Sequence, residues 1–229
     1  FTFFCGIGCK NAHDEVVELA KRINAPVGYS FRGKMYVQYD NPNEVGMTGL
    51  LGLPSAYHAM HEADLLLLLG TDFPYKDFMS ESCGIIQIDE KAERLGRRAK
   101  LKMGLRGDIK DTLEALLPLV HQNNDRSFLD AQLKIYEKVK ETQQTFVKDR
   151  GRADNISPEF VADTIDKIAA HDAIFTVDTG MRCVWGARFL NATGKRELLG
   201  SFNHGSMANA MPQAIGAALA RPDQQVVAF

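Results

Sequence analysis

Long hydrophobic runs are missing from this sequence. Even its most apolar block, Leu65–Leu69, falls far short of the ~20 residues that cross a bilayer. No stretch has the charged-then-apolar pattern of a secretory signal. Cysteines are few and unpaired: Cys5, Cys9, Cys83 and Cys183 form no C-x-x-C, which argues against a zinc ribbon and for buried reduced thiols. An excess of charge of either sign is also lacking. With 27 Lys and Arg against 29 Asp and Glu the net charge is −2, which leaves no basic footprint for nucleic acid and no polybasic membrane patch. What remains, at 45% hydrophobic and 24% charged over 229 residues, is an ordinary globular composition for one or two domains.

The first 120 residues alternate strand and helix signals. Phe1–Cys5 reads as a buried strand, and Asn11–Asn24 as a helix with Val16, Val17, Leu19, Ala20 and Ile23 on its apolar face. A second strand starts at Pro26, and Leu65–Leu69 and Ile85–Ile88 are continuous apolar runs of the kind found in strands buried on both faces. Helices are expected at about 54–63 and 108–120, so the fold class is α/β, a doubly wound, Rossmann-like parallel sheet. A helical connector and linker occupy 122–156, and 157–229 is expected to be the first part of a second α/β domain. The chain opens on a strand-like segment without an initiator Met, which suggests that both ends lie inside something longer.

Candidate ligand loops follow the strands at their carboxyl ends, where open parallel sheets bind ligands. The Gly6-x-Gly8 turn has Asn11 where a dinucleotide fingerprint has its third glycine, so a plain strand–helix turn is an equal reading. Ser30–Lys34 offers two cations and a glycine (Arg32, Gly33, Lys34), Gly70–Tyr75 follows the leucine run, and Asp89 ends a strand with a carboxylate suited to a ribose hydroxyl or adenine amino group. His58 and His61 share a helical face without a third metal ligand, and Lys91–Lys102 reads as a solvated basic loop.

Beyond residue 120, Asp125–Arg150 has the spacing of an amphipathic helix, and polar Gly151–Ser157 reads as a linker. Ser157-Pro158 caps the next helix, whose expected core stripe is Val161, Ile165 and Ile168. Ala173–Val177 is a strand ending in Asp178-Thr179-Gly180. A Gly/Ser/Asn-rich loop from Gly200 to Asn209 then enters an apolar helix from about Pro212, and Gln225–Phe229 is again strand-like.

The seventeen residues Gly200–Gly216, reading G-S-F-N-H-G-S-M-A-N-A-M-P-Q-A-I-G, resemble the thiamine-diphosphate enzymes of the pyruvate oxidase and acetolactate synthase family, and most of all their flavin-dependent pyruvate oxidase branch. The resemblance implies that this loop holds the cofactor's aminopyrimidine through the backbone of Gly205 and Met207, with Ser206 between them. Met207 is then the apolar wedge that bends thiamine diphosphate. It implies that Asp178, Thr179 and Gly180 approach the diphosphate, with Trp185 on the short helix that follows.

Residues 1–121 resemble the family's central domain, which binds FAD in flavin-containing members. Gly46–Gly52, with Gly49 and Leu50, is similar to the loop beside the flavin. Gly70, Thr71, Asp72 and Phe73 resemble a second flavin loop, in which Lys76 replaces a frequent Arg of the branch. Asp89 and Asp108 match adenosine-side positions. The family's magnesium ligands, a Gly-Asp-Gly motif and a later Asn, and the glutamate that activates the pyrimidine match nothing in these 229 residues. The resemblance therefore assigns no metal ligand to this chain and implies that it is inactive by itself.

Taken whole, the resemblance implies a cytoplasmic homo-oligomer, a tetramer in the family, with peripheral membrane contact through residues after Phe229. Pyruvate would be oxidatively decarboxylated and its electrons passed through FAD to quinone or oxygen, giving acetate or acetyl phosphate. The alternatives are an acetolactate synthase with structural FAD, and a non-catalytic nucleotide-binding module.

Overall fold

Strands buried on both faces need helices on both sides of their sheet, and the computed structural model shows that arrangement. It describes residues 1–149, 151–152 and 155–229. The chain divides into two compact units, Phe1–Val139 and Lys140–Phe229.

The first unit is built on six strands: β1 (Thr2–Cys5), β2 (Val27–Tyr29), β3 (Glu44–Met47), β4 (Leu65–Leu69), β5 (Gly84–Asp89) and β6 (Met103–Arg106). All pair in parallel, in the order β3-β2-β1-β4-β5-β6. This is the doubly wound order with its switch point between β1 and β4, so the expected fold class is the observed one. Helices α1 (His13–Ile23), α2 (Lys34–Val37) and α3 (Pro54–His61) fill crossovers, and α4 (Ile109–Leu116) follows the last strand. The leucine run supplies the centre: Leu66 and Leu68 pack with Phe4, Met60, Phe73 and Ile85.

In this unit two strands escape the sequence signals. β3 is short, contains Gly46 and lies at one edge; β6 is exposed at the other edge, directly after the basic segment Lys91–Lys102. Helix α1 stops where Asn24 takes a left-handed conformation at φ 53° and returns its N–H to the carbonyls of Ala20 and Lys21. Buried Asn43 finishes this corner, its amide donating to the carbonyls of Ala20 (3.0 Å) and Ala25 (2.9 Å).

Helix α5 (Ser127–Lys148) is the expected amphipathic connector, and the boundary between the units falls within it. Leu129, Gln132 and Tyr136 are its buried positions in the first unit, on one helical face. Arg150, Ala153 and Asp154 are not described, so the expected linker Gly151–Ser157 lies partly outside the described residues.

The second unit starts with a short antiparallel pair, β7 (Gly151–Arg152) and β8 (Asn155–Ile156), and helix α6 (Pro158–Ile168). β9 (Ile174–Val177), α7 (Met181–Phe189), β10 (Glu197–Gly200), α8 (Ala210–Ala220) and β11 (Val226–Ala228) follow. The three long-range strands form a parallel sheet in the order β10-β9-β11.

Two expectations need correction here. Val161 and Ile168 are exposed and form no core stripe. The inward side of α6 instead carries Ala162 and the polar anchors Glu159 and Asp166: Glu159 accepts from the Trp185 indole (3.2 Å), and Asp166 from Arg196 (2.7 Å) and Asn191 (2.6 Å). Helix α8 begins two residues before Pro212, which sits at its third position, still in the first turn where no intrahelical N–H bond is lost. Among the described residues no helix is long and apolar enough to cross a membrane.

Asn43→Ala would strip the α1 corner of its side-chain donors. Leaving buried carbonyls short of a donor costs about 1–3 kcal/mol, so the urea midpoint of the chain's first unfolding transition should fall with an unchanged slope. An unchanged midpoint would show that the carbonyls of Ala20 and Ala25 find other partners.

Candidate functional site

At the switch point of the first unit the backbone itself fills the space. Gly6 donates its N–H to Leu69 O (2.8 Å) and Gly8 donates to Gly70 O (3.0 Å). A Cβ on Gly8 would stand 2.6 Å from Gly70 Cα, and one on Gly33 would stand 2.4 Å from Cys5 O. The structure thus gives Gly6, Gly8, Gly33 and Gly70 a packing role: the loops after β1, β2 and β4 touch backbone to backbone. The N–H groups of Gly6 and Gly8 point at carbonyls of the neighbouring strand, so neither is free to meet a phosphate.

Beside this contact Lys34 is buried and donates to Gln38 Oε1 (2.9 Å), while Arg32 is exposed. Asp89, only 2% exposed at the end of β5, accepts from the Lys91 N–H (2.9 Å) and Arg94 (3.5 Å) through Oδ1, while its Oδ2 is buried without a partner. A buried carboxylate oxygen with no donor is costly, and it asks for a hydrogen-bond donor from a ligand. Asp72 is held by Arg98 (3.0 Å) and Arg97 (3.2 Å), which gives two arginines of the basic segment a definite task. Asp108 caps α4 by accepting the Asp111 N–H (3.1 Å).

Thr71 is buried and its carbonyl takes the Gln87 amide (3.2 Å). Phe73 is a core residue whose ring meets those of Phe4 (4.9 Å between centroids) and Tyr75 (5.2 Å). The Phe73 ring also lies against Gly49, where a Cβ would sit 3.1 Å from Cε2, so the loops 46–53 and 70–75 touch. Leu50, at the tip of the first of these loops, is 68% exposed. Of the histidine pair, His58 faces Glu62 (3.8 Å) and His61 stacks on Tyr57 (4.1 Å), and neither joins the loops above.

In the second unit one carboxylate gathers the loop 200–209 over the end of β9. Asp178 Oδ1 accepts from the Thr179 N–H (2.9 Å), the Asn209 N–H (3.2 Å) and the Asn209 side-chain amide (2.9 Å), and Oδ2 accepts the Ala208 N–H (2.9 Å). Thr179 Oγ1 and Asn209 Nδ2 both donate to Ser206 O (2.8 and 2.7 Å), and the Ser206 N–H is received by Ser201 Oγ (3.0 Å).

The backbone turns sharply between these ties. Gly205 has φ 67° and Ala208 φ 58°, a conformation that costs a residue with a Cβ roughly 1–2 kcal/mol and that the Asp178 bond retains. Met207, between them, is 83% exposed, so a large apolar side chain is held out from an anchored loop. Around Gly180 (φ 100°) an added Cβ would meet nothing within 4 Å, so the space there is open. The Thr179 N–H, with the Asn209 and Ala208 N–H groups adding, holds the Asp178 carboxyl below the usual carboxylate range.

Comparison with known proteins decides what this pattern belongs to. Residues 2–116 match the thiamine pyrophosphate enzyme central domain, and residues 178–229 match the C-terminal thiamine pyrophosphate binding domain. The chain belongs to the thiamine pyrophosphate enzymes. It is 32% identical over 97% of its length to the putative thiamine pyrophosphate-containing protein YdaP of Bacillus subtilis (strain 168), covering 38% of that protein. It is 28% identical over 99% of its length to the acetolactate synthase isozyme 1 large subunit of Escherichia coli (strain K12), covering 40% of it. A 51% identity over 61% of the chain links it to an uncharacterized 42.6 kDa protein of Pseudomonas amyloderamosa, 35% of which is covered. The chain thus spans 35 to 40% of the length of these relatives.

Within a thiamine pyrophosphate enzyme, the loop 200–209 fits a cofactor: it is open, apolar at Met207 and rigidly tied. The resemblance places the Asp178–Gly180 loop near the diphosphate; in the structure the Asp178 carboxylate accepts four N–H donors, three of them from Ala208 and Asn209. Asn209 and Ser201 were missed, because their partners lie up to 31 residues away and no local motif announces them. Asn209 precedes a helix as a cap residue would, yet its side chain turns back to Asp178 and makes no cap bond.

Asp178→Asn should free the loop while leaving β9 intact, since its new amide would meet the Ala208 N–H donor to donor. Exchange of the Ala208 and Asn209 amides should quicken, with Ile174–Val177 still protected. In the unsubstituted chain the folded-state pKa of Asp178 lies below the unfolded value of about 3.9. Its contribution is therefore complete above that value and lost as pH falls through the folded one. Equal exchange in both proteins would remove Asp178 from this role.

Proposed function

We propose that this chain is part of a thiamine-diphosphate- and FAD-dependent enzyme that oxidatively decarboxylates pyruvate. The observation that carries the reading is the loop 200–209, in which Met207 is presented between two tight turns tied down by Asp178. Bound thiamine diphosphate supplies a carbon nucleophile and an electron sink for the loss of carbon dioxide, and FAD supplies a two-electron acceptor.

This chain's residues bind and orient. The backbone of Gly205 and Met207 would hold the aminopyrimidine, the Met207 side chain would support the cofactor, and Thr179 and Gly180 would border the diphosphate. Magnesium would be held by residues other than these 229. For FAD, the buried and unpartnered Asp89 Oδ2 favours a ligand that donates there, as a ribose hydroxyl or adenine amino group does. Gly49, Leu50 and the loop from Gly70 to Phe73 would border the flavin, with Arg32 or Lys34 near the diphosphate. The substrate is pyruvate, with quinone or oxygen as the acceptor, in a cytoplasmic homo-oligomer.

A second reading is favoured by the relatives named acetolactate synthase, which cover nearly the whole chain at 25–28% identity. There FAD would be structural and a second keto acid would capture the two-carbon unit. The wording of Asn203–Gln213 favours the oxidase.

One experiment separates them. The intact protein, loaded with thiamine diphosphate, magnesium and FAD, should lose its yellow colour when pyruvate is added without oxygen. Flavin that stays oxidised while acetolactate accumulates supports the synthase, and a protein that retains no flavin refutes both flavin readings.

A further inference from the structure

The loop 48–53 between β3 and α3 starts from the edge of a sheet, and its support comes from an unexpected element. β3 has a strand partner on one side only, and its pairing with β2 slips between Val27 and Gly28. A ladder that is one-sided and irregular fixes register weakly. The missing constraint is supplied by α5. Tyr136, 7% exposed on that helix, lays its ring on Gly46, where an added Cβ would stand 2.9 Å from Cε2. Gly46 has φ 90°, so the strand bends where the ring presses on it.

The Tyr136 hydroxyl donates to Glu44 Oε1 (2.8 Å), and the Tyr29 hydroxyl of β2 donates to the same oxygen (2.5 Å). Burial pushes both phenols up, with the Glu44 carboxylate adding, so both remain proton donors. Glu44 is thereby latched to β2 on one side and to α5 on the other. The loop that follows closes on itself through the Gly52 N–H to Gly49 O (2.9 Å) and the Leu53 N–H to Met47 O (2.8 Å). The strand that leads into this loop is thus held by β2 on one side and by the ring and hydroxyl of Tyr136 on the other.

We propose that Tyr136 is a positioning residue for the loop 48–53: the seating of α5, through this phenol, sets the order of the loop and with it the retention of flavin. The second half rests on the flavin reading above; the first half does not.

The test is hydrogen exchange on the 229-residue chain. Tyr136→Phe keeps the ring and removes the hydroxyl. Losing one hydrogen bond to a charged acceptor should speed exchange of amides 47–53 roughly tenfold, against little change in β1 and β4. Tyr136→Leu, which also removes the ring from Gly46, should speed it further. Leu113→Ala, a buried change in α4, serves as the control and should not single out 47–53. If Tyr136→Phe accelerates β1, β4 and 47–53 alike, Tyr136 is only a core residue and the proposal is overturned. In the intact protein, a loosened loop with undiminished FAD retention would overturn its functional half. Wild-type protein that holds no FAD would sink the flavin reading, and the exchange result would still decide the latch.

Discussion

Four N–H donors converge on the carboxylate of Asp178, and the candidate cofactor loop exists in its observed form because of them. Three of these donors fall on Oδ1 and one on Oδ2, and three of the four come from Ala208 and Asn209 of the loop it holds. What it secures is a backbone that would not hold itself. Gly205 and Ala208 both turn through the left-handed region, and between them Met207 is turned outward. Met207 is not alone in this: Met211, Ile215 and Leu219 on the helix that follows are exposed as well, so the segment carries apolar surface that a ligand or another part of the protein could cover. These residues lie within the match to the thiamine pyrophosphate binding domain, and the proposed role of Met207 rests on that match.

The first unit solves a related problem by different means. At the switch point of its sheet, loops from β1, β2 and β4 press together until only glycine fits at Gly8 and Gly33. That contact removes the Gly6 and Gly8 N–H groups from any ligand. Elsewhere in the unit, Asp89 Oδ2 at the end of β5 is buried without a partner, and the loops 46–53 and 70–75 touch. The arginines that looked like a solvated patch are partly engaged on Asp72 and Asp89, stiffening this edge.

The strong periodic features were legible in the sequence, and the ones that depend on distant partners were not. Leu65–Leu69 and Ile85–Ile88 announced buried parallel strands, and with them the doubly wound sheet. β3 and β6 were invisible because one is four residues long with a glycine and the other is exposed, so neither has an apolar signature. The stripe Val161, Ile165, Ile168 has helical spacing, yet α6 turns Glu159, Ala162 and Asp166 inward, where the two carboxylates bond Trp185, Arg196 and Asn191, and leaves Val161 and Ile168 exposed. In the site, the loop around Met207 was readable as a contiguous motif. The Asp178–Asn209 tie spans 31 residues, and the Glu44–Tyr136 bond spans 92. No local pattern encodes such pairs. The Gly6-x-Gly8 turn shows the converse: the spacing was plain, but only the neighbouring strand revealed where its N–H groups go.

The account stands on Met207 being held out for a cofactor to rest on. Its most direct test compares intact wild-type protein with Met207→Ala, measuring thiamine diphosphate affinity and turnover together. The account predicts that turnover falls well beyond any loss of affinity, with thermal stability unchanged, because an 83% exposed side chain contributes little to the core. Undiminished turnover accompanied by a fall in melting temperature would contradict it.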